Sequence, residues 1–225
     1  MADASLIIYD ENTGLPMVDS INYNLFLRHK GIAYKQGDQS VAQIDLPAIS
    51  PVVFVRSLQD DGTITPASQD LGGGLFRFTF WGNCEYYIFD RPWDDTGPMN
   101  FWSEDGRHIF QGGEIPLTIY DSPDIGKWWK LSGASWNSAW TWGQLPASKY
   151  AVNQSYVRLG YWEYRVPTTT TDIYRESFLP HPNGFQLIYR QYEGRIFASV
   201  IGANGFDSYQ ESCRFSLVDV SSFSV

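Results

Sequence analysis

Short runs rich in Ile, Val, Phe, Tyr and Trp recur along the whole chain, each bounded by Gly, Asn, Asp or Pro. They are Leu6–Tyr9, Asn24–His29, Val52–Arg56, Leu75–Trp81, Glu85–Phe89, Leu117–Tyr120, Tyr156–Val166, Phe185–Tyr192, Arg195–Ile201 and Cys213–Val220. Runs of this length and composition between turn residues read as strands. Alternation is clear in Leu75–Phe80, where Phe76, Phe78 and Phe80 share one face and Leu75, Arg77 and Thr79 the other. A two-residue period predicts that the three rings form core. No window of 11 residues carries a convincing helical period. The expected fold class is therefore all-β, either a β-sandwich or two β-modules with antiparallel sheets.

Composition narrows the class further. In 225 residues, 43% are hydrophobic and 18% charged, which is a globular and not a disordered composition. The length suits one large or two small domains. We expect an N-terminal β-domain over 1–92, with 93–225 as a second β-module or a continuation of the first. No apolar run reaches the ~20 residues of a membrane-spanning helix, so no membrane insertion is expected. The N-terminus reads as no signal peptide. Sixteen Lys and Arg against 25 Asp and Glu give a net charge of −9, which argues against nucleic acid as a partner, since phosphate binding needs a basic face.

Turn chemistry divides the strands. Asp60-Asp61-Gly62 and Asn12-Thr13-Gly14 read as turns, and Glu193-Gly194 between two apolar runs predicts a hairpin. Gly72-Gly73-Gly74 and the tract Pro167–Asp172 read as connections, the latter as an exposed loop or linker. Ile7–Asp19 and Asn100–Phe110 share an order of apolar run, acidic turn, Gly and apolar run, as two related hairpin units would.

The second of these segments carries a family likeness. Tyr86-Tyr87-Ile88-Phe89-Asp90-Arg91-Pro92 is followed by a short spacer, Asn100–Trp102, Glu104-Asp105-Gly106, Ile109-Phe110 and Pro116-Leu117-Thr118-Ile119. This order resembles tail tip and tail fibre-associated proteins of long-tailed, siphovirus-like bacteriophages and prophages. Tyr9-Asp10, Gly14 and Asp19-Ser20 resemble the opening hairpin of the same proteins, and Pro51–Arg56 resembles one of their strands. The likeness spans residues 5–120. Phe110-Gln111-Gly112 departs from it at the second hairpin, and nothing in 121–225 matches. The resemblance implies a structural minor tail protein of the virion and no catalytic residues.

The densest local feature lies outside that likeness. Trp128, Trp129, Trp136, Trp140 and Trp142 place five tryptophans in fifteen residues, separated by small polar residues. Trp combines a large apolar area with a ring N–H that can stay wet. The cluster reads as inter-sheet core, as a protein interface or as a glycan platform. Other constellations have simpler readings. Cys84 and Cys213 lack metal-ligand spacing and read as buried thiols. His29, His108 and His181 stand apart in sequence, so no metal site is expected. Asp94-Asp95, beside Trp93 and Trp102, looks superficially like a carbohydrate-cleaving pair but reads as a solvated loop. Asp10–Gly14 lacks the later ligands of a calcium loop. No nucleophile-elbow, zinc-protease, phosphate-loop or dinucleotide motif occurs.

The expected function is thus binding and not catalysis, with no cofactor. The partners are other phage tail proteins, a second copy in a homo-oligomer such as a trimer, and a host-surface glycan or receptor. Localisation to a virion tail assembled in the host cytoplasm follows from the resemblance. The alternative function is a host-receptor module with the tryptophans as a glycan platform; a carried envelope-glycan hydrolase is the third.

Overall fold

The structure is a computed structural model that describes residues 7–9, 16–19, 24–36, 41–58, 63–93, 97–103, 105–126, 140–143, 149–154, 159–165, 169–181, 184–196, 205–206 and 212–223. All regular elements among them are strands. In chain order these are β1 Ile7–Tyr9, β2 Pro16–Asp19, β3 Phe26–Ala33, β4 Val41–Pro47, β5 Val52–Ser57, β6 Ile64–Gly72, β7 Leu75–Trp81, β8 Cys84–Asp90 and β9 Asn100–Trp102. They continue as β10 His108–Gln111, β11 Asp124–Gly126, β12 Trp140–Gly143, β13 Tyr150–Gln154, β14 Leu159–Arg165, β15 Thr169–His181, β16 Gly184–Ile196, β17 Gly205–Phe206 and β18 Ser212–Asp219. The chain is all-β, as its alternating apolar runs require.

A six-stranded sheet of order β11-β18-β13-β5-β8-β3 forms one layer. Facing it are a three-stranded sheet, β4-β7-β6, and a five-stranded sheet, β12-β16-β15-β14-β17. A backbone pair joins these two: Thr63 N–H donates to Phe178 O at 2.9 Å and Phe178 N–H to Thr63 O at 2.6 Å. The apolar cluster between the layers draws Val53, Val55, Ile88, Val152 and Leu217 from the first, and Phe78, Phe80, Phe178, Phe185 and Leu187 from the second. This is sandwich packing, with two inner faces sharing one core. Gln154 Nε2 adds a buried polar tie across it, donating to Glu176 Oε2 at 2.6 Å. The six-stranded sheet contains strands from both sides of residue 92, joined by the pairing of Val55 of β5 with Val152 of β13.

The expected ring face on β7 is present: Phe78 and Phe80 are fully buried and Phe76 packs against the same core. On the opposite face the Arg77 fork holds Asp45 of β4 with two bonds of 2.8 Å. β8 differs, because every one of its seven residues is buried. Its Cys84, Tyr86 and Ile88 enter the inter-sheet core. Tyr87 and Phe89 join Phe54, Ala151, Val218, Val220 and Phe223 in a second cluster on the other face, partly covered by Leu25, Leu27, Leu117 and Ile119. A strand covered on both sides loses the alternation that a half-exposed strand keeps. At its end the buried Asp90 carboxylate accepts N–H bonds from Ile49, Ser50 and Arg91 at 2.6–2.8 Å, which fixes the turn before β5.

Both segments with the acidic Gly turn form antiparallel hairpins, β1–β2 and β9–β10. Two expectations need correction. Glu193-Gly194 is not a turn: β16 runs through it, and the reversal falls between His181 and Gly184. The register against β15 slips twice in that region, since Tyr174, Ile173 and Thr171 face Gln191, Glu193 and Ile196. Gly194 therefore lies in a bulged stretch, the other common place for a strand glycine. Thr169–Asp172 is strand and not linker, paired with Trp162–Arg165 of β14; β-branched threonines suit a pleated ladder. Gly72–Gly74 is a connection as expected, the tip of the β6–β7 hairpin, with φ of 85°, 65° and 78°, a backbone that side chains rarely adopt. The expected turn at Asp60-Asp61-Gly62 and the Asn12-Thr13-Gly14 turn lie outside the described residues.

Cys84 is a free, fully buried thiol, so it is not paired with Cys213. Burial pushes it up from 9.0 to about 12, and burial also raises the Tyr86 and Tyr87 phenols. Raised folded values leave stability intact below the unfolded thiol value of 9.0 and remove it as pH climbs from there towards 12. Urea unfolding followed against pH should show this alkaline fall, and Cys84→Ala should make its slope shallower. Phe54→Ala should cost about 3–5 kcal/mol in the same assay, because it opens a cavity beneath Phe89 and Tyr87.

Candidate binding surface

The tryptophan segment divides between described and undescribed residues. Trp128, Trp129 and Trp136 lie outside the described residues. Trp140 and Trp142 lie on β12, at the edge of the five-stranded sheet, in register with Leu187 and Phe185. Asp94, Asp95 and Glu104 also lie outside the described residues. Among the described residues, no three His, Cys, Asp or Glu come together as a metal site would need, and no helix is long and apolar enough to cross a membrane.

A different aromatic group gathers around Arg28. Its side chain is only 9% exposed. Nη2 donates to Gln111 Oε1 at 2.8 Å and Nη1 lies 3.3 Å from Glu114 Oε1. The guanidinium sits over the Trp93 ring at 5.6 Å and over Phe26 at 5.9 Å, within cation–π range. The segments meeting here carry large exposed apolar side chains: Trp93 at 37%, Met99 at 56%, Trp102 at 51% and Ile115 at 43%. Met99 O accepts from Gly112 N–H next to Gln111, and Ile115 O accepts from Leu27 N–H next to Arg28. Arg28 thus ties these segments into one surface.

The β9–β10 hairpin stacks Trp102 on His108. Its ring lies 5.1 Å from His108 at 18°, nearly parallel, while His108 Nε2 is 3.0 Å from Asn100 Oδ1. Phe110 packs edge-on against Phe26 at 5.7 Å and anchors the hairpin to β3. The turn is closed by Asp105, which bonds Ser103 Oγ and the Arg107 guanidinium. Those two bonds hold its carboxyl down at about 2. Gly106 takes φ 79°, as the tight turn requires. Trp and Arg fixed in a partly exposed apolar patch are the composition of interface hot spots. The sequence signal for this patch was two lone tryptophans flanking a turn-rich stretch, which is fainter than five in fifteen residues.

Arg28→Met should lower stability by about 1–3 kcal/mol, since Glu114 and Gln111 lose a charged partner. Its tryptophan emission should shift to the red as Trp93 loosens. The depressed Asp105 value fixes a second outcome. The Asp105 bonds to the turn are fully present above the ordinary carboxyl value of 3.8 and are lost as pH falls through about 2, which the amide spectrum of Gly106 should track.

Comparison of the chain with protein-family models, with curated proteins and with solved structures finds no match.

Proposed function

We propose that this chain is a structural component of a bacteriophage tail tip or tail fibre assembly that acts by protein–protein binding in the virion. The observation that carries the reading is the set of half-exposed apolar side chains, Trp93, Met99, Trp102 and Ile115, on segments that meet around Arg28. Pre-ordered apolar side chains bind a partner without the cost of being immobilised on contact. The segments that resemble tail proteins support it by their order, since they occupy β1–β2, β5, β8 and β9–β10 in turn. In this reading residues 93–225 continue the N-terminal β-domain, and the net charge of −9 keeps the free subunit soluble before assembly in the host cytoplasm. Self-association, as a trimer for example, is the simplest symmetric use of the patch.

A second reading, a module for host-surface glycan, is favoured by one detail. The Trp102 ring is flat against His108 on one side and half exposed overall, as a stacking platform would be.

Light scattering of the full chain, alone and with tail subunits from the same genome, separates the two. The tail reading expects a stable oligomer or a defined complex, weakened at least about tenfold by Trp102→Ser, as for a hot-spot residue. A monomer that binds no tail subunit, with emission quenched by saturating host glycan, would replace it by the glycan reading.

A further inference from the structure

The outward face of the six-stranded sheet changes character at one end. Phe54 and Tyr87 pair across it, and Ala151 belongs to the same apolar cluster. Two residues further along β5 and β8, and so on the same face, Arg56 pairs with Glu85, and Lys149, just before β13, reaches the same carboxylate. Lys149 Nζ lies 3.1 Å and Arg56 Nη1 3.8 Å from Glu85 Oε2. The Tyr87 hydroxyl donates to that same oxygen at 2.8 Å. The Glu85 side chain is 10% exposed, and those of Arg56 and Lys149 are each 25% exposed.

The cluster is unbalanced. Among the described residues two cations share one carboxylate oxygen, which leaves one positive charge there in a protein whose net charge is −9. Arg56 is three-quarters buried, yet its contact with Glu85 at 3.8 Å is beyond hydrogen-bond length. No hydrogen bond to its five N–H donors occurs among the described residues, and none of its nitrogens is sealed from solvent. A half-used guanidinium fork costs stability where it is partly desolvated, and a planar carboxylate is the group that fits it with two parallel bonds. A single carboxylate also cancels the surplus charge.

We propose that Arg56 and Lys149, set in place by Glu85 and Tyr87, form a carboxylate-binding site at the end of this sheet. Glu85 holds Lys149 beside the fork, Arg56 supplies the paired bonds, and Lys149 adds a point charge. The carboxylate comes either from a free small acid or from an acidic side chain of a second copy of this chain, whose excess of acid makes it a suitable donor.

The test uses the full chain and acetate as probe, with chloride replacing it at constant ionic strength. Thermal unfolding and the Arg side-chain Nε–Hε resonances are read together. The site requires a saturable shift of the Arg56 resonance with acetate and not with chloride, accompanied by a saturable rise in Tm where the native mass stays constant. Arg56→Lys and Lys149→Gln should each weaken the response by at least about tenfold, as loss of a charge-assisted bond does. Arg56→Lys keeps the charge and so guards against simple unfolding. Equal effects of acetate and chloride on the native protein, or an unchanged acetate response in both variants, overturn the proposal. Native mass distinguishes the sources. Acetate lowers it in step with saturation if a second copy supplies the carboxylate, and leaves it unchanged if the natural ligand is a free acid.

Discussion

Burial of β8 on both faces is the constraint on which the rest of the structure depends. Its even-numbered side chains, Cys84, Tyr86 and Ile88, enter the core between the layers. Its odd-numbered Tyr87 and Phe89 enter the cluster on the far side. A strand so placed must have cover in two directions. The inner cover is the second layer, including the ring face of β7. The outer cover is assembled from chain segments that are distant in sequence: Leu25 and Leu27, Leu117 and Ile119, and Val220 and Phe223. Phe223 lies 5.8 Å from Tyr87 and 6.5 Å from Phe89. The β9–β10 hairpin is anchored to β3 at the edge of this sheet through Phe110 and Phe26.

This explains which parts of the fold were legible in the sequence. β7 was readable residue by residue, because one face is core and the other wet, and its pattern is set locally. β8 read as a strand from its aromatic content, but its two-sided burial was not visible, since partners at residues 25–27, 117–119 and 220–223 are long-range. Thr169–His181 escaped because threonines, charges and Pro180 dilute its apolar signal, although pairing with β14 and β16 makes it a central strand of its sheet. Val41–Pro47 was missed for a related reason: on this edge strand the polar positions Gln43 and Asp45 are matched by Thr79 and Arg77 across the ladder. The Glu193-Gly194 error came from treating a strand glycine as a turn when nothing local distinguishes a turn from a bulge.

The binding surfaces were less legible than the fold. A dense tryptophan segment draws attention in a linear reading, whereas the patch organised by Arg28 exists only after Phe26–Lys30, Arg91–Trp93 and Met99–Ile115 converge. The same holds for Lys149, Arg56 and Glu85, which are separated by up to 93 positions in sequence (149 − 56) and meet within one face of a sheet. Arginine is central to both groups. Its long apolar stem and flat charged head let it be mostly buried, order aromatic neighbours and still offer donors.

Native-state hydrogen exchange of the full chain tests the two-sided core most directly. Amides of Tyr86, Tyr87, Ile88 and Phe89 pair with β3 and β5 on either edge, and the account requires them to exchange only through global unfolding. Their opening free energies should match the free energy of unfolding by urea and be the highest in the protein. Exchange of the β8 amides through a local opening of lower free energy, with the strands of the second layer more protected, would contradict it.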